Sequence, residues 1–481
     1  MIIQYNFSTK TFVLKATSRA CPLQNLLRTA QSTLLDLQTS WTNAFSWFKH
    51  YTKCYLQSPS SKIESLASVL TSSAVPTRTA KFTFFKVRSR VSRSRIAFDG
   101  FFDPIFMASG ASDDFDDSSF DREEIDSTEE VLNALAYYKK YGLLKLSAQG
   151  KAFTRLPQEH RDLIAASYAP ALRRAKECVL ENQKFFDAVL ETGRWMLGDG
   201  DAEFLENAYA ITQLRPATEH YMAKVRSTLK QLVRDWSEEG QPERDSCYSK
   251  ILDSLYERFP DKEARADVKI LVPGSGLSRL VWQLVHEGFS TMGNEHSMLM
   301  LLVSNFVLNC CERPKQFTIY PYAGENNNQW SYENQFRGIQ IPDVCTKQVA
   351  AGRRRNTFSM CAGEFVSIVD DDMAESFDCI VTCFFLDTAK NPLVYFEAIK
   401  KILKPGGVWI NFGPLLYHYS GEHEDSIELP YEEIIKIVKS YGFEFVRDER
   451  ASETAPSKYV CDEKSMLQYS YYCGFFECIK K

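Results

Sequence analysis

From about residue 261 onward, short β-branched runs alternate with helix-period segments. A glycine turn separates the first such strand from the first such helix, and a long helix-period stretch precedes them both. These three observations predict an α/β fold: a doubly wound sheet preceded by a helical N-terminal domain. A chain of 481 residues has room for both.

The composition, 44% hydrophobic and 25% charged, is that of a globular protein, and a net charge of −5 gives no global pull toward nucleic acid or a membrane. The charge is uneven. Residues 1–95 hold two acids, Asp36 and Glu64, against fourteen Lys and Arg. Their Ser/Thr-rich texture and the basic run Lys86-Val87-Arg88-Ser89-Arg90 fit either a transit-like or nucleic-acid-binding arm or, as the favoured reading, a disordered extension. Asp113–Asp126 reads as a solvated acidic linker, so residues 1–126 are set apart as an extension. Thirteen cysteines without a CxxC pair or a His/Cys cluster at zinc spacing indicate reduced, mostly buried thiols, and no metal is expected. The N-terminus lacks a signal-peptide pattern. The longest apolar segment, Met298–Leu308, is too short to span a bilayer. A cytosolic location is expected, with the nucleus open.

Ser127-Thr128-Glu129-Glu130 fits a capping box and is expected to start the helical domain, 127–260. Within it Val225, Leu229, Leu232, Val233 and Trp236 make one apolar stripe, and Gln231 and Arg234 share the polar face off that stripe. The sheet domain, 261–481, opens with the strand Val268–Val272. The turn Gly274-Ser275-Gly276 and a helix stopped by Gly288 follow. Phe289–Glu295 reads as the second strand, Met298–Leu308 as the second helix, Thr357–Cys361 as the third strand and Phe377–Cys383 as a buried fourth. Residues 392–403 read as a helix ended by Lys404-Pro405-Gly406-Gly407 before a strand Val408–Phe412.

A strand–GxG–helix unit lets backbone approach a ligand and aims a helix N-terminus at it. Alone it is a weak signal. The third glycine of a dinucleotide fingerprint is replaced by Arg279, which counts against a nicotinamide or flavin cofactor on this Rossmann-like unit. Glu295, about twenty residues beyond the loop at a strand end, is placed to accept hydrogen bonds from ribose hydroxyls; the plainer alternative is a first-turn acid of the next helix. In Ala362-Gly363-Glu364-Phe365 an acid and an aromatic follow the third strand, where Glu364 can accept from an exocyclic amine and Phe365 can pack a ring. A simple turn remains the alternative there.

The runs LVPGSGLSRLVWQLVHEGF, GNEHSMLMLLVSNFVLN, CFFLDTAKN and LKPGGVWINFGPLLYHY, with LKQLVRDWS upstream and SIELPYEEI downstream, resemble the carnosine N-methyltransferase family over residues 127–481. The resemblance implies a methyltransferase domain with S-adenosylmethionine as donor, carnosine as acceptor and anserine as product. It places donor contacts at Gln231, Arg234, Gly274, Glu295 and the Glu364–Phe365 corner, where the family tends to have Asp instead of Glu364. It places the dipeptide site at Asp387, His418 and Tyr471, with Tyr472 as an alternative because the local tyrosine run departs from the family's. It also makes a homodimer an expectation.

On this reading a neutral imidazole, with a reference pKa of about 6.5, needs no strong base; it needs a chosen tautomer and a fixed orientation. Asp387 would accept the N–H of one ring nitrogen, and His418 and Tyr471 would hold the ring and peptide. Read without the resemblance, Asp387 could instead cap the helix at Asn391-Pro392, His418 could be a surface histidine and Tyr471 a packed strand aromatic. Competing functions are methylation of another histidine-bearing peptide and a non-catalytic cofactor-binding module.

Overall fold

The computed structural model describes residues 2–6, 11–15, 117–197, 214–347, 356–421, 426–450, 456–459 and 462–481. Residues 1–78 and 79–481 are two compact units. In the first, β1 (Ile2–Asn6) pairs antiparallel with β2 (Thr11–Lys15). Of the extension expected over residues 1–95, residues 2–6 and 11–15 are these paired strands, while the rest of it, with the basic run at Lys86–Arg90, lies outside the described residues.

In the second unit the helices α1 (Asp117–Thr154) and α2 (Gln158–Leu197) come first, followed by α3 (Glu219–Trp236) and α4 (Gln241–Arg258). The expected start at Ser127 is corrected: α1 already runs from Asp117, and the Ser127–Glu130 box lies inside it. Acids at a helix start complement its dipole, so the composition that suggests a linker equally suits a first turn. The true N-cap of α3 is Thr218, whose side chain accepts the Tyr221 N–H, and the apolar stripe Val225, Leu229, Leu232, Val233 and Trp236 is buried as expected.

Next come β3 (Lys269–Pro273), α5 (Arg279–His286), β4 (Ser290–Glu295), α6 (Met298–Cys310), β5 (Phe317–Ile319), β6 (Ile339–Ile341), β7 (Phe358–Ala362), α7 (Phe365–Ile368) and β8 (Phe377–Cys383). The chain continues through α8 (Pro392–Ile402), β9 (Leu403–Gly413), α9 (Tyr431–Ser440), β10 (Phe443–Glu449), β11 (Ser457–Lys458), β12 (Ser470–Tyr471) and β13 (Gly474–Lys480).

Seven strands form one sheet in the order β10-β13-β9-β8-β3-β4-β7. The run from β9 to β7 is parallel, while β13 lies antiparallel to both β9 and β10. The doubly wound α/β fold expected from the sequence is therefore present, with an antiparallel strand inserted near one edge. Both faces are covered, as a mainly parallel sheet requires. Alternate residues of one strand enter different cores: Leu271 packs with Phe396, Ile399 and Trp409 on one side, while Ile270 and Val272 pack with Ile251 and Leu255 of α4 on the other.

The order reverses at β3, whose neighbours are β4 and β8. Ligands of open α/β sheets bind at such a switch point, outside the C-terminal ends of the strands. The turn expected at Lys404–Gly407 is a bulge in β9. Phe377 pairs with Leu403 and Cys379 with Val408, so these four residues fall out of register, with Gly406 at φ 74°.

Candidate active site

The loop after β3 turns on three left-handed residues, Gly274 (φ 64°), Gly276 (φ 54°) and Ser278 (φ 63°). Glycine is demanded most strongly at Gly274, where an added Cβ would lie 2.4 Å from the Phe385 ring. The Ser275 N–H donates to Asn294 O at 2.8 Å and the Ser278 N–H to Ser275 O at 2.8 Å. Because Pro273 pairs with Asn294, the next residue of β4, Glu295, arrives beside the loop. Its Oε2 accepts the Gly276 N–H at 2.7 Å, and its Oε1 accepts the N–H of His296 at 2.9 Å and of Ser297 at 2.8 Å. Burial nonetheless pushes its carboxyl above the ordinary range. A carboxylate offers about four lone-pair sites, so three amides leave room for a hydroxyl donor.

Facing the loop is the last turn of α3. Arg234 makes a forked pair with Asp235, Nε to Oδ1 at 2.7 Å and Nη2 to Oδ2 at 2.9 Å, and its guanidinium lies 5.3 Å over the Tyr459 ring. Gln231 is half-buried on the same helix. Between α3 and the loop is an open cleft, about 510 Å³ of empty space with the solvent at its mouth included, lined among others by Arg234, Tyr248, Gly274, Ser275, Gly276 and Phe384. The residues fit a nucleoside-bearing sulfonium donor: the loop is open to close backbone approach, an acid stands at the strand end, and the buried Ser275 hydroxyl has no protein partner.

Cys247 and Cys383 also line the cleft, but burial pushes both thiols well up, the first to about 12, so neither is a ready thiolate. The Glu364 corner sits next to Glu295, whose carbonyl accepts the Gly363 N–H at 3.0 Å. Glu364 itself is exposed and accepts from Ser367 Oγ at 3.1 Å, and Phe365 is buried, edge-on to Phe385 and Tyr395. Neither lines the cleft.

The acceptor side starts at the end of β8, where Phe384 takes a left-handed φ of 53° and a 3₁₀ turn, Leu386–Thr388, carries Asp387. Asp387 is only 2% exposed. Its Oδ2 accepts the Leu416 N–H at 2.8 Å and its carbonyl accepts the His418 N–H at 2.9 Å, so this one residue grips the loop that follows β9. Burial pushes the Asp387 carboxyl up, opposed by the Leu416 amide and the nearby His418. Capping of α8 falls to Asn391, whose side chain accepts the Leu393 N–H at 3.1 Å, and not to Asp387.

His418 is exposed beside Asp387. Tyr471 is half-buried on β12 and edge-on to Phe384 (6.4 Å) and Tyr459 (6.2 Å), whereas Tyr472 is 61% exposed. Phe384 stacks flat on Tyr459 at 4.6 Å. Gly274 and Arg234 line the cleft, and Glu295 stands behind the loop through Gly276; Asp387, His418 and Tyr471 do not line it but adjoin it, Asp387 three residues after the lining Phe384 and Tyr471 edge-on to Phe384 and Tyr459. Sequence reasoning missed Asp235, Phe384 and Tyr459. Phe384 had a signal, as the aromatic directly after a strand that ends at the switch point.

The sequence profile of the carnosine N-methyltransferase family matches residues 211–481. The chain belongs to that family. It is 38% identical over 348 residues to the carnosine N-methyltransferase of Mus musculus, covering 72% of this chain and 84% of the mouse protein. It is 35% identical over 375 residues to that of Schizosaccharomyces pombe, covering 75% and 97%. It is 34% identical over 382 residues to carnosine N-methyltransferase unmet of Drosophila melanogaster, covering 75% and 81%. As a carnosine N-methyltransferase family member the chain is an S-adenosylmethionine-dependent N-methyltransferase, in keeping with a cleft at the switch point. Among the described residues no helix is long and apolar enough to cross a membrane.

Proposed function

We propose that this protein transfers a methyl group from S-adenosylmethionine to an imidazole nitrogen of carnosine, giving anserine. The observation that carries the reading is the buried Asp387, held against His418 just after β8 and three residues beyond Phe384, which lines the cleft together with the glycine loop. S-adenosylmethionine supplies an electrophilic methyl group when bound. Gly274, Glu295 and Arg234 would hold it, Glu295 through the ribose hydroxyls and Arg234 as the cationic wall of the cleft.

The remaining work belongs to the acceptor side. Asp387 accepts the N–H of one imidazole nitrogen, which leaves the lone pair on the other and fixes the tautomer. Tyr471 and His418 hold the ring and peptide in line. Phe384 and Tyr459 present aromatic faces that exclude water. Such orientation can lower a barrier by roughly 7–11 kcal/mol when alignment is close, and nothing in the arrangement calls for a strong base.

The test is transfer of labelled methyl to carnosine by the full chain, with Asp387→Asn alongside. Loss of a charge-assisted hydrogen bond of about 1.5–3 kcal/mol should lower kcat/KM roughly ten- to hundredfold while donor binding is kept. Near-parental turnover by the variant would remove Asp387 from the reaction. Donor binding without anserine would overturn the substrate assignment.

A further inference from the structure

Arg279 stands where a dinucleotide fingerprint would have its third glycine, and the donor-site reading gives it no task. It lies at the start of α5, 7% exposed, with its guanidinium 5.0 Å from the Trp236 ring and 5.1 Å from that of Trp282. Its Nη1 donates to Asp343 Oδ1 at 2.5 Å and to the Asp235 carbonyl at 3.1 Å. The other oxygen of Asp343 accepts from Arg244 Nη2 at 2.7 Å. Arg244 Nη1 in turn donates to the carbonyls of Arg234 at 2.6 Å and Ser237 at 2.7 Å. The backbone N–H of Asp343 donates to the Trp236 carbonyl at 2.9 Å.

The four consecutive carbonyls of residues 234–237, which the end of a helix leaves without intrahelical partners, are therefore all taken up by one buried Arg244–Asp343–Arg279 group. Two guanidiniums at a helix C-terminus also suit its dipole. The indole Nε1 of Trp236 donates to the Leu277 carbonyl at 3.0 Å, tying the same turn to the glycine loop.

We propose that Asp343 is a positioning residue for the methyl-donor site: through Arg244 and Arg279 it clamps the last turn of α3 so that Arg234 faces the glycine loop. The two walls of the cleft then have a fixed spacing, set by a carboxylate that touches neither donor nor acceptor. A glycine in place of Arg279 would leave the Asp235 carbonyl and one oxygen of Asp343 without these bonds. This chain accordingly departs from the dinucleotide pattern at that position for a packing reason. The inference rests on the reading of Arg234 as a donor contact.

The test is a double-mutant cycle in the full chain, with donor affinity measured directly by calorimetry and kcat and acceptor KM measured at saturating donor. Arg234→Ala and Asp343→Asn should each weaken donor binding about tenfold, equivalent to about 1.4 kcal/mol. Combined, they should weaken it little further than either alone, because residues in one network are not additive. Acceptor KM should stay within about twofold of the parent.

Additive losses, or an Asp343→Asn chain that binds donor normally, would overturn the proposal. So would equal damage to donor affinity and acceptor KM, the mark of a merely structural residue. If Asp343→Asn does not fold, Arg279→Lys, which keeps the charge but lacks the guanidinium that bridges Asp343 and the Asp235 carbonyl, takes its place in the same cycle under the same criteria. If Arg234→Ala alone leaves donor affinity unchanged, the donor-site reading fails first, which is distinct from failure of the clamp.

Discussion

Asp387 carries a cost that its neighbours only partly offset. Its burial pushes the carboxyl above the ordinary range, against the pull of the Leu416 amide and His418. A carboxyl whose folded pKa lies above its unfolded value binds its proton more tightly in the fold. Stability therefore falls as pH rises from the unfolded value through the raised folded one, and stays lowered above it. Asparagine has no such penalty, and its Oδ1 can still accept the Leu416 N–H.

Asp387→Asn is thus expected to melt higher than the parent at pH 8, with the gap closing as pH falls through the raised titration. Thermal melts of both chains across pH 4–8 check this, and a variant that melts lower at every pH would show the carboxylate to be a stabilising group. At this scale the sequence was informative where a chemistry-bearing residue sits at a strand end: Glu295 as the last residue of β4 and Asp387 shortly after β8 could be singled out from the pattern and the family runs. Asp343 could not, because its partners Arg244 and Arg279 lie 99 and 64 residues away in the chain. Tyr459 depends in the same way on Phe384 and Arg234, which only the folded chain brings to it.

The elements show where pattern is enough and where it is not. The strand–glycine–helix unit was legible because period-2 and period-3.6 segments meet at a turn that glycine favours, and β3, β4, β7 and β8 fall within a residue of their expected bounds, whereas β9 starts five residues early and β5 and β6 were not foreseen. The start of α1 was not, since acids that read as a linker also suit a helix N-terminus. Nor was the sheet order, because the insertion of β13 between β9 and β10 is a long-range pairing with no local sign.

Gly274 and Gly276 make the demands of the loop measurable. Both have a left-handed φ, at 64° and 54°, but a Cβ on Gly274 would meet the Phe385 ring at 2.4 Å, while one on Gly276 meets only Arg234 Nη2 at 3.9 Å. Both alanine variants bear the left-handed strain of about 1–2 kcal/mol. Gly274→Ala should lose about 1–3 kcal/mol more through overpacking. Denaturant unfolding of the two variants measures the difference, and equal losses would mean that Phe385 yields freely.

On the scale of the whole unit spanning residues 79–481, the family profile begins at residue 211, but the core does not. Leu132 and Leu135 of α1 and Phe185 and Phe186 of α2 are fully or almost fully buried in one cluster with Met222, Leu229 and Trp236 of α3 and with Leu299, Leu302 and Phe306 of α6. Phe185 meets Phe306 edge-on at 5.5 Å, and the Asn182 side chain ties α2 to β5 through the Tyr320 backbone, accepting its N–H at 2.7 Å and donating to its carbonyl at 3.0 Å. The helical segment is thus packed into the same core as α6, which flanks the sheet, and as α3, the helix that carries Arg234.

Burying side chains of this size contributes about 1.5–3 kcal/mol each. The four from α1 and α2 together therefore match much of the roughly 5–15 kcal/mol by which a domain is stable. A chain limited to residues 211–481, although it contains Asp387, His418, Tyr471, the glycine loop and Arg234, is expected not to fold to an active state. It would expose the apolar faces of α3 and α6, bind a hydrophobic dye and melt without a cooperative transition, while the full chain melts cooperatively. Cooperative melting and donor binding by the shorter chain would show instead that α1 and α2 are an addition the catalytic sheet can do without.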